Sequence, residues 1–204
     1  MMFVKVCGMR RQEDINVAVA CGAAAVGFIF ANSPRQVRPE QVEKLAEGVP
    51  VLKVGVFVNE DLQRVREIRH RCHLDIVQLH GDESPDYCER LGGRLFKAIR
   101  LKEVAMTRLF DDYPPDIKIL LDAYVYSRPG GTGRQIDFYL LDHIHDFTRI
   151  IIAGGIGPDN AVEIFKRYHP FGIDVNSRVE DAPGIKNHEK ILELFQKLKI
   201  IRKE

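Results

Sequence analysis

Ile150-Ile-Ile-Ala-Gly-Gly-Ile-Gly-Pro-Asp-Asn160 reads as a buried strand that breaks at a glycine-rich turn and enters a helix near Pro158, with Asp159 or Asn160 as its cap. Outward from this unit the same alternation recurs along the chain. Short apolar, often β-branched runs at 3–6, 25–30, 51–57, 74–79, 95–99, 117–121, 150–152 and 172–175 give eight candidate strands. Charged amphipathic stretches at 12–21, 39–47, 61–72, 85–91, 102–110, 138–144, 159–168 and 189–198 give eight candidate helices.

Strict strand-helix alternation makes the strands parallel with right-handed crossovers, and both faces of such a sheet need an apolar cover. A closed barrel and a doubly wound sheet both satisfy this. The strand-to-helix junctions favour closure, because Cys7-Gly8, Ser33-Pro34-Arg35, Asn59, His80-Gly81-Asp82, Arg100, Asp122, Gly154-Gly155 and Asp174 are small or chemically active. A barrel gathers all eight junctions at one mouth, whereas an open sheet gathers only those beside its switch point. The expected architecture is therefore α/β, a single (β/α)8 TIM barrel over residues 1–204, a length at the short end for that fold. The glycine-rich segment 128–134 is too short to divide domains and reads as a flexible active-site loop.

Lys and Arg total 30 against 29 Asp and Glu, a formal net charge of +1, which gives no general attraction to nucleic acid or an anionic membrane. The longest apolar stretches, such as 23–31, fall short of the roughly 20 residues that span a bilayer, and the N-terminus lacks the order of a signal peptide. A cytoplasmic enzyme, monomer or homodimer, is expected. Cys7, Cys21, Cys72 and Cys88 are scattered without a CxxC pair, so reduced thiols are expected rather than disulfides or zinc.

The glycines at 154 and 155 let backbone N–H groups approach an anion, and Ser177 and Arg178 follow the neighbouring eighth strand. Together they match the phosphate site between strands 7 and 8 common in barrels, although a glycine-rich turn by itself is ordinary. At the chemical end Cys7 closes the first strand, where Lys5 or a helix N-terminus would favour thiolate; a buried structural cysteine is the plainer alternative. Asp122 ends the apolar run Ile119-Leu-Leu-Asp122, as an acid or as a simple cap. A base on strand 1 and an acid on strand 6, across the mouth, suit a proton shift in a bound sugar. Arg35 is placed to grip a carboxylate, or is a solvated surface charge, while Gln78, His80 and Asp174 add polar groups for a substrate.

These residues resemble the phosphoribosylanthranilate isomerase family in order: Lys5-Val-Cys-Gly, Gly27-Phe-Ile-Phe to Ser33-Pro-Arg, Val54-Gly-Val-Phe-Val-Asn59, Val77-Gln-Leu-His-Gly-Asp, Leu121-Asp, Gly130-Gly-Thr-Gly133 and Ala153-Gly-Gly-Ile. The resemblance spans essentially the whole chain. It implies a ribulose-phosphate-binding barrel that carries out an Amadori rearrangement in tryptophan biosynthesis, with Cys7 as general base and Asp122 as general acid. It further implies Arg35 on the anthranilate carboxylate, the loops around Gly154, Gly155 and Ser177 on the phosphate, and neither metal nor organic cofactor.

Two positions depart from the family pattern: Asn176-Ser-Arg178 replaces a Ser-Ser-Gly-like triplet, and Lys186-Asn187 replaces Lys-Asp. Arg178 would either strain a positive-φ position or add a contact to phosphate. Among rival barrels, an indole-glycerol-phosphate synthase relies on catalytic lysines and an added N-terminal segment, and a ribulose-phosphate epimerase needs metal-ligating His and Asp at several strand ends. A third reading is a non-catalytic phosphosugar-binding barrel disabled by Arg178.

Overall fold

The computed structural model describes residues 2–122, 124–125, 135–136 and 138–201. Eight parallel strands, β1 (Phe3–Val6), β2 (Ala25–Ile29), β3 (Leu52–Phe57), β4 (Ile76–Leu79), β5 (Leu95–Arg100), β6 (Lys118–Asp122), β7 (Ile150–Ala153) and β8 (Gly172–Val175), close into a barrel in chain order, with β1 paired to both β2 and β8. The closed form follows from the apolar content of both strand faces. Val4, Val6, Val26, Ile119, Leu121, Ile152, Ile173 and Val175 point outward into the main core beneath the helices. Phe3, Ala25, Val54, Ile76, Phe96, Leu120 and Ile151 point inward and plug the lumen.

The period of two along each strand carries that lumen face up to the mouth. Two residues above Phe3, Ile76 and Gly172 stand Lys5, Gln78 and Asp174, all buried, and in the next layer Cys7 and His80 reach the C-terminal end. On β5 and β6 the register pairs Arg100 with Asp122 at the same end. Apolar floor and polar mouth are thus successive layers of one side-chain column.

The helical layer comprises α1 (Gln12–Cys21), α2 (Pro39–Leu45), α3 (Leu62–Arg71), α4 (Pro85–Leu91), α5 (Phe138–Leu141), α6 (Ala161–Tyr168) and α7 (His188–Ile201). Capping follows the sequence at α3, where the Asp61 carboxylate accepts from Arg64 N, and at α4, where Ser84 Oγ accepts from Tyr87 N ahead of Pro85. Asn187 Oδ1 accepts from Lys190 N at 2.8 Å, so the Asn in place of the family's Asp still caps α7.

Three expectations are corrected. The fifth connection, expected as a helix over 102–110, is a 3-10 segment over Val104–Asp112. There Thr107 Oγ1 donates to the Val104 carbonyl at 2.8 Å, and Pro114 and Pro115 follow closely, which block an α-helical continuation. The helix expected over 138–144 is only α5 (Phe138–Leu141). α6 begins at Ala161 rather than near Pro158, with Asn160 at the N-cap position the sequence offered, although its side chain turns back to the glycine loop and makes no capping hydrogen bond.

After β6 a two-residue antiparallel pair, Tyr124–Val125 with Gln135–Ile136, flanks the segment expected as an active-site loop. Residues 128–134, with the Gly130 to Gly133 motif, lie outside the described residues. β8 runs into a 3-10 turn, Ser177–Val179, and a hairpin of Glu180–Ala182 with Ile185–Lys186. Among the described residues no helix is long and apolar enough to cross a membrane.

Candidate active site

A cavity of about 700 Å³ opens at the C-terminal ends of the strands. Its lining includes Arg35, His80, Arg100, Asp122, Gly154, Gly155, Asp174, Asn176 and Ser177. Seven of the site residues singled out from sequence therefore meet in one space, contributed by five strands or the loops after them. Cys7 and Gln78 are buried and do not line it in this structure, and Arg178 lies outside it.

Gly154 and Gly155 both adopt positive φ, 85° and 69°, a conformation that glycine alone takes without strain. Asn160 fixes the turn from within: its Oδ1 accepts from Gly157 N at 2.9 Å and its Nδ2 donates to the Gly155 carbonyl at 3.0 Å. Sequence reading offered Asn160 only as a cap, since a side chain that bonds its own turn looks identical in sequence. Ser177 opens the 3-10 turn after the neighbouring strand, β8.

Arg178 is a correction. It occupies that 3-10 turn, is absent from the positive-φ residues, and its guanidinium pairs with Asp159 on the outer surface. Neither strain nor a contact facing the cavity results, because the acidic neighbour on the adjoining loop captures the charge.

Inside the barrel, Lys5 Nζ lies 3.0 Å from Asp174 Oδ1 and donates to Gln78 Oε1 at 2.7 Å. The Gln78 amide is left facing His80 Nδ1 at 2.8 Å. The ammonium has donors only, so it fixes the Gln78 carbonyl toward Lys5, and its NH2 then makes His80 Nδ1 an acceptor. His80 is therefore assigned as the neutral tautomer with its proton on Nε2. Burial, reinforced by Lys5, Arg100 and Lys97, lowers its pKa to about 4, in keeping with that form.

Cys7 is 3 % exposed, and burial pushes its thiol up, against the lowering influence of Lys5 and, further down, Lys186. Lys5 acts in the direction expected of it, but the sulfur lies so deep that desolvation outweighs the cation. Burial likewise raises the Asp174 carboxyl, opposed by Lys5. Asp122 is half-buried at the head of β6, and its carbonyl accepts from Leu101 N.

Arg35 is held by Glu180 through Nε at 3.0 Å and Nη2 at 2.6 Å, and Ser33 Oγ accepts from its backbone N–H. Glu180 also takes Lys186 Nζ at 2.8 Å, while Lys186 reaches Asn176 Oδ1 at 3.0 Å. Glu180, Lys186 and Asn176 went unremarked as site residues in the sequence, because nothing local connects the hairpin after β8 to the loop after β2. Among the described residues no group of three or more His, Cys, Asp or Glu side chains could hold a metal ion.

A sequence model of the N-(5'-phosphoribosyl)anthranilate isomerase family matches residues 4–197. The chain belongs to that family. The family isomerase of Trichlorobacter lovleyi is 39 % identical over 98 % of both chains. Among solved structures, the phosphoribosyl anthranilate isomerase of Thermus thermophilus superposes with a TM-score of 0.86 at 35 % identity, covering 98 % of this chain and 100 % of the other. Another isomerase of the family, solved with reduced 1-(o-carboxyphenylamino)-1-deoxyribulose 5-phosphate, gives 0.82 at 31 % identity, covering 98 % and 99 %.

Proposed function

We propose that this chain isomerises N-(5'-phosphoribosyl)anthranilate to 1-(2-carboxyphenylamino)-1-deoxyribulose 5-phosphate, the isomerase step of tryptophan biosynthesis, by general acid-base catalysis. The observation that carries this reading is the lining of one cavity by an acid, Asp122, a guanidinium, Arg35, and a positive-φ glycine turn, Gly154-Gly155, with Cys7 at the head of the adjoining β1. Those groups match the three needs of the substrate: a ring to open, a carboxylate and a phosphate. A relative of the family binds the reduced form of that product.

In the reaction Asp122 gives a proton to the furanose ring oxygen as the C1–O bond breaks, which leaves a Schiff base. The Cys7 thiolate then takes the C2 proton, and the C–H electron pair forms the C1–C2 double bond of the enolamine. Movement of the C2 hydroxyl proton to C1 gives the ketone, and exchange with solvent restores thiolate and carboxylic acid. Arg35 holds the anthranilate carboxylate. The N–H groups of the turn at Gly154 and Gly155, with Ser177, hold the phosphate. Asp174, His80 and Gln78 face the sugar or support the residues that do.

The test is a coupled assay in which a purified transferase makes phosphoribosylanthranilate from anthranilate and phosphoribosyl pyrophosphate before this protein is added. Turnover is expected, and its loss by about 10²- to 10⁴-fold in Cys7→Ala and in Asp122→Asn, with folding retained. No turnover by the folded protein beside an active control isomerase would favour a non-catalytic barrel. Near-normal rates in either variant would remove that residue from its role.

A further inference from the structure

We propose that Lys5 is a positioning residue for this reaction: its buried ammonium, held between Asp174 and Gln78 inside the barrel, is the counter-ion that makes the buried Cys7 sulfur easier to ionise. The proposal rests on the reading of Cys7 as base. It begins from an ammonium with no exposure at all, in a lumen whose layer below is apolar. Such a charge is costly to bury, and a lysine there in place of another apolar residue calls for a reason.

Lys5 and Cys7 are two residues apart on β1, so both side chains enter the lumen. On β2 the facing residue is Gly27, where a methyl would fall 2.7 Å from Cys7 Sγ and 2.8 Å from Lys5 Cε. The thiol and the end of the lysine chain therefore flank the same point, and no side chain from β2 intervenes. Asp174 from β8 fixes the ammonium at 3.0 Å and Gln78 from β4 at 2.7 Å, so it does not swing away from the sulfur. The other charges that act on Cys7 are Asp174 itself, which opposes ionisation, and Lys186 from the hairpin after β8, which favours it. Lys186 is the weaker of the two cations in this respect and is also engaged by Glu180. His80, next in line on β4 through Gln78, is neutral in this arrangement.

The arrangement gives effects of opposite sign. Loss of Lys5 makes the thiolate harder to form, whereas loss of the Asp174 charge makes it easier. The experiment is a titration of Cys7 by thiolate ultraviolet absorbance, each protein read against its own Cys7→Ser variant so that Cys21, Cys72 and Cys88 cancel. Lys5→Met is expected to lower the thiolate fraction at a fixed pH by about tenfold or more, a midpoint shift of about one unit upward. Lys5→Arg should restore part of it, and Asp174→Asn should move the midpoint down.

An unmoved midpoint in folded Lys5→Met, or shifts of the same sign in Lys5→Met and Asp174→Asn, would overturn the proposal. If Lys5→Met does not fold, Asp174→Asn decides alone, and a midpoint that stays or rises overturns it. The acid limb of kcat/KM should move with the thiol midpoint in each folded variant, which a merely structural lysine would not cause. Because the titration does not depend on turnover, full activity in Cys7→Ala would sink the base assignment separately from the coupling of Lys5 to the sulfur.

Discussion

Arg35 and Glu180 lie 145 positions apart in the chain yet meet at 2.6 Å, with Lys186 on the same carboxylate, so the cation on the β2 loop is aimed by an anion from the hairpin after β8. Three charges with this little exposure are a geometric device as much as a stabilising one, since buried pairs contribute little net stability but are costly to break.

Glu180→Gln should therefore release both cations. We expect KM to rise roughly tenfold with a smaller change in kcat, and stability to fall by about 3 kcal/mol, read by steady-state kinetics and urea unfolding. Burial raises the Glu180 carboxyl, but hydrogen bonds from Arg35 and Lys186 bring it below the ordinary range. Its contribution is thus complete above the unfolded value of about 4.3 and is lost as pH falls through the folded value. An unchanged KM would detach Glu180 from the positioning of Arg35.

The rate should depend on pH in a direction fixed by Cys7. Burial lifts the thiol above its ordinary value against the pull of Lys5, and the base acts only as thiolate. We expect kcat/KM to keep climbing past about pH 8.5, the ordinary thiol value, in the free enzyme. A plateau reached well below that point would show that the sulfur is not the group that titrates.

His80 predicts an acid sensitivity of the fold. Its folded pKa of about 4 lies below the ordinary value of 6.5, so between these two the unfolded chain binds a proton that the folded chain does not. Stability then falls as pH drops through that window, by about 1–2 kcal/mol between about pH 7 and pH 5. Urea midpoints at the two pH values should show this slope reduced in His80→Gln. The same slope in both proteins would assign it elsewhere.

Arg178→Ala should do little. The guanidinium and Asp159 are about half exposed, a surface pair of the kind that contributes under about 1 kcal/mol, and neither lines the mouth cavity. KM should stay within about twofold and the unfolding midpoint should barely move. A large rise in KM would return Arg178 to the phosphate.

Local chemistry wrote much of this molecule into the sequence. The β-branched runs and charged amphipathic stretches are short-range signals, and they marked the barrel strands. The turn glycines at 154 and 155, the thiol at a strand end and a carboxylate after an apolar run are equally local, which is why Cys7, Asp122, Gly154, Gly155 and Arg35 stand out in the sequence as candidates. Other properties had no local sign. The 3-10 path of Val104–Asp112, the return of Asn160 to its own turn and the capture of Arg178 by Asp159 each follow from competition among neighbours that only geometry ranks. Closure of β1 onto β8 brought Lys5 to Asp174, and the hairpin after β8 brought Glu180 to Arg35, joining residues more than a hundred positions apart. The sequence by itself determined the succession of barrel strands and which reactive groups end them. Tertiary structure alone decided which charges are buried together, and so which protonation states the site holds, because desolvation and Coulomb energy depend on distances that no local pattern encodes.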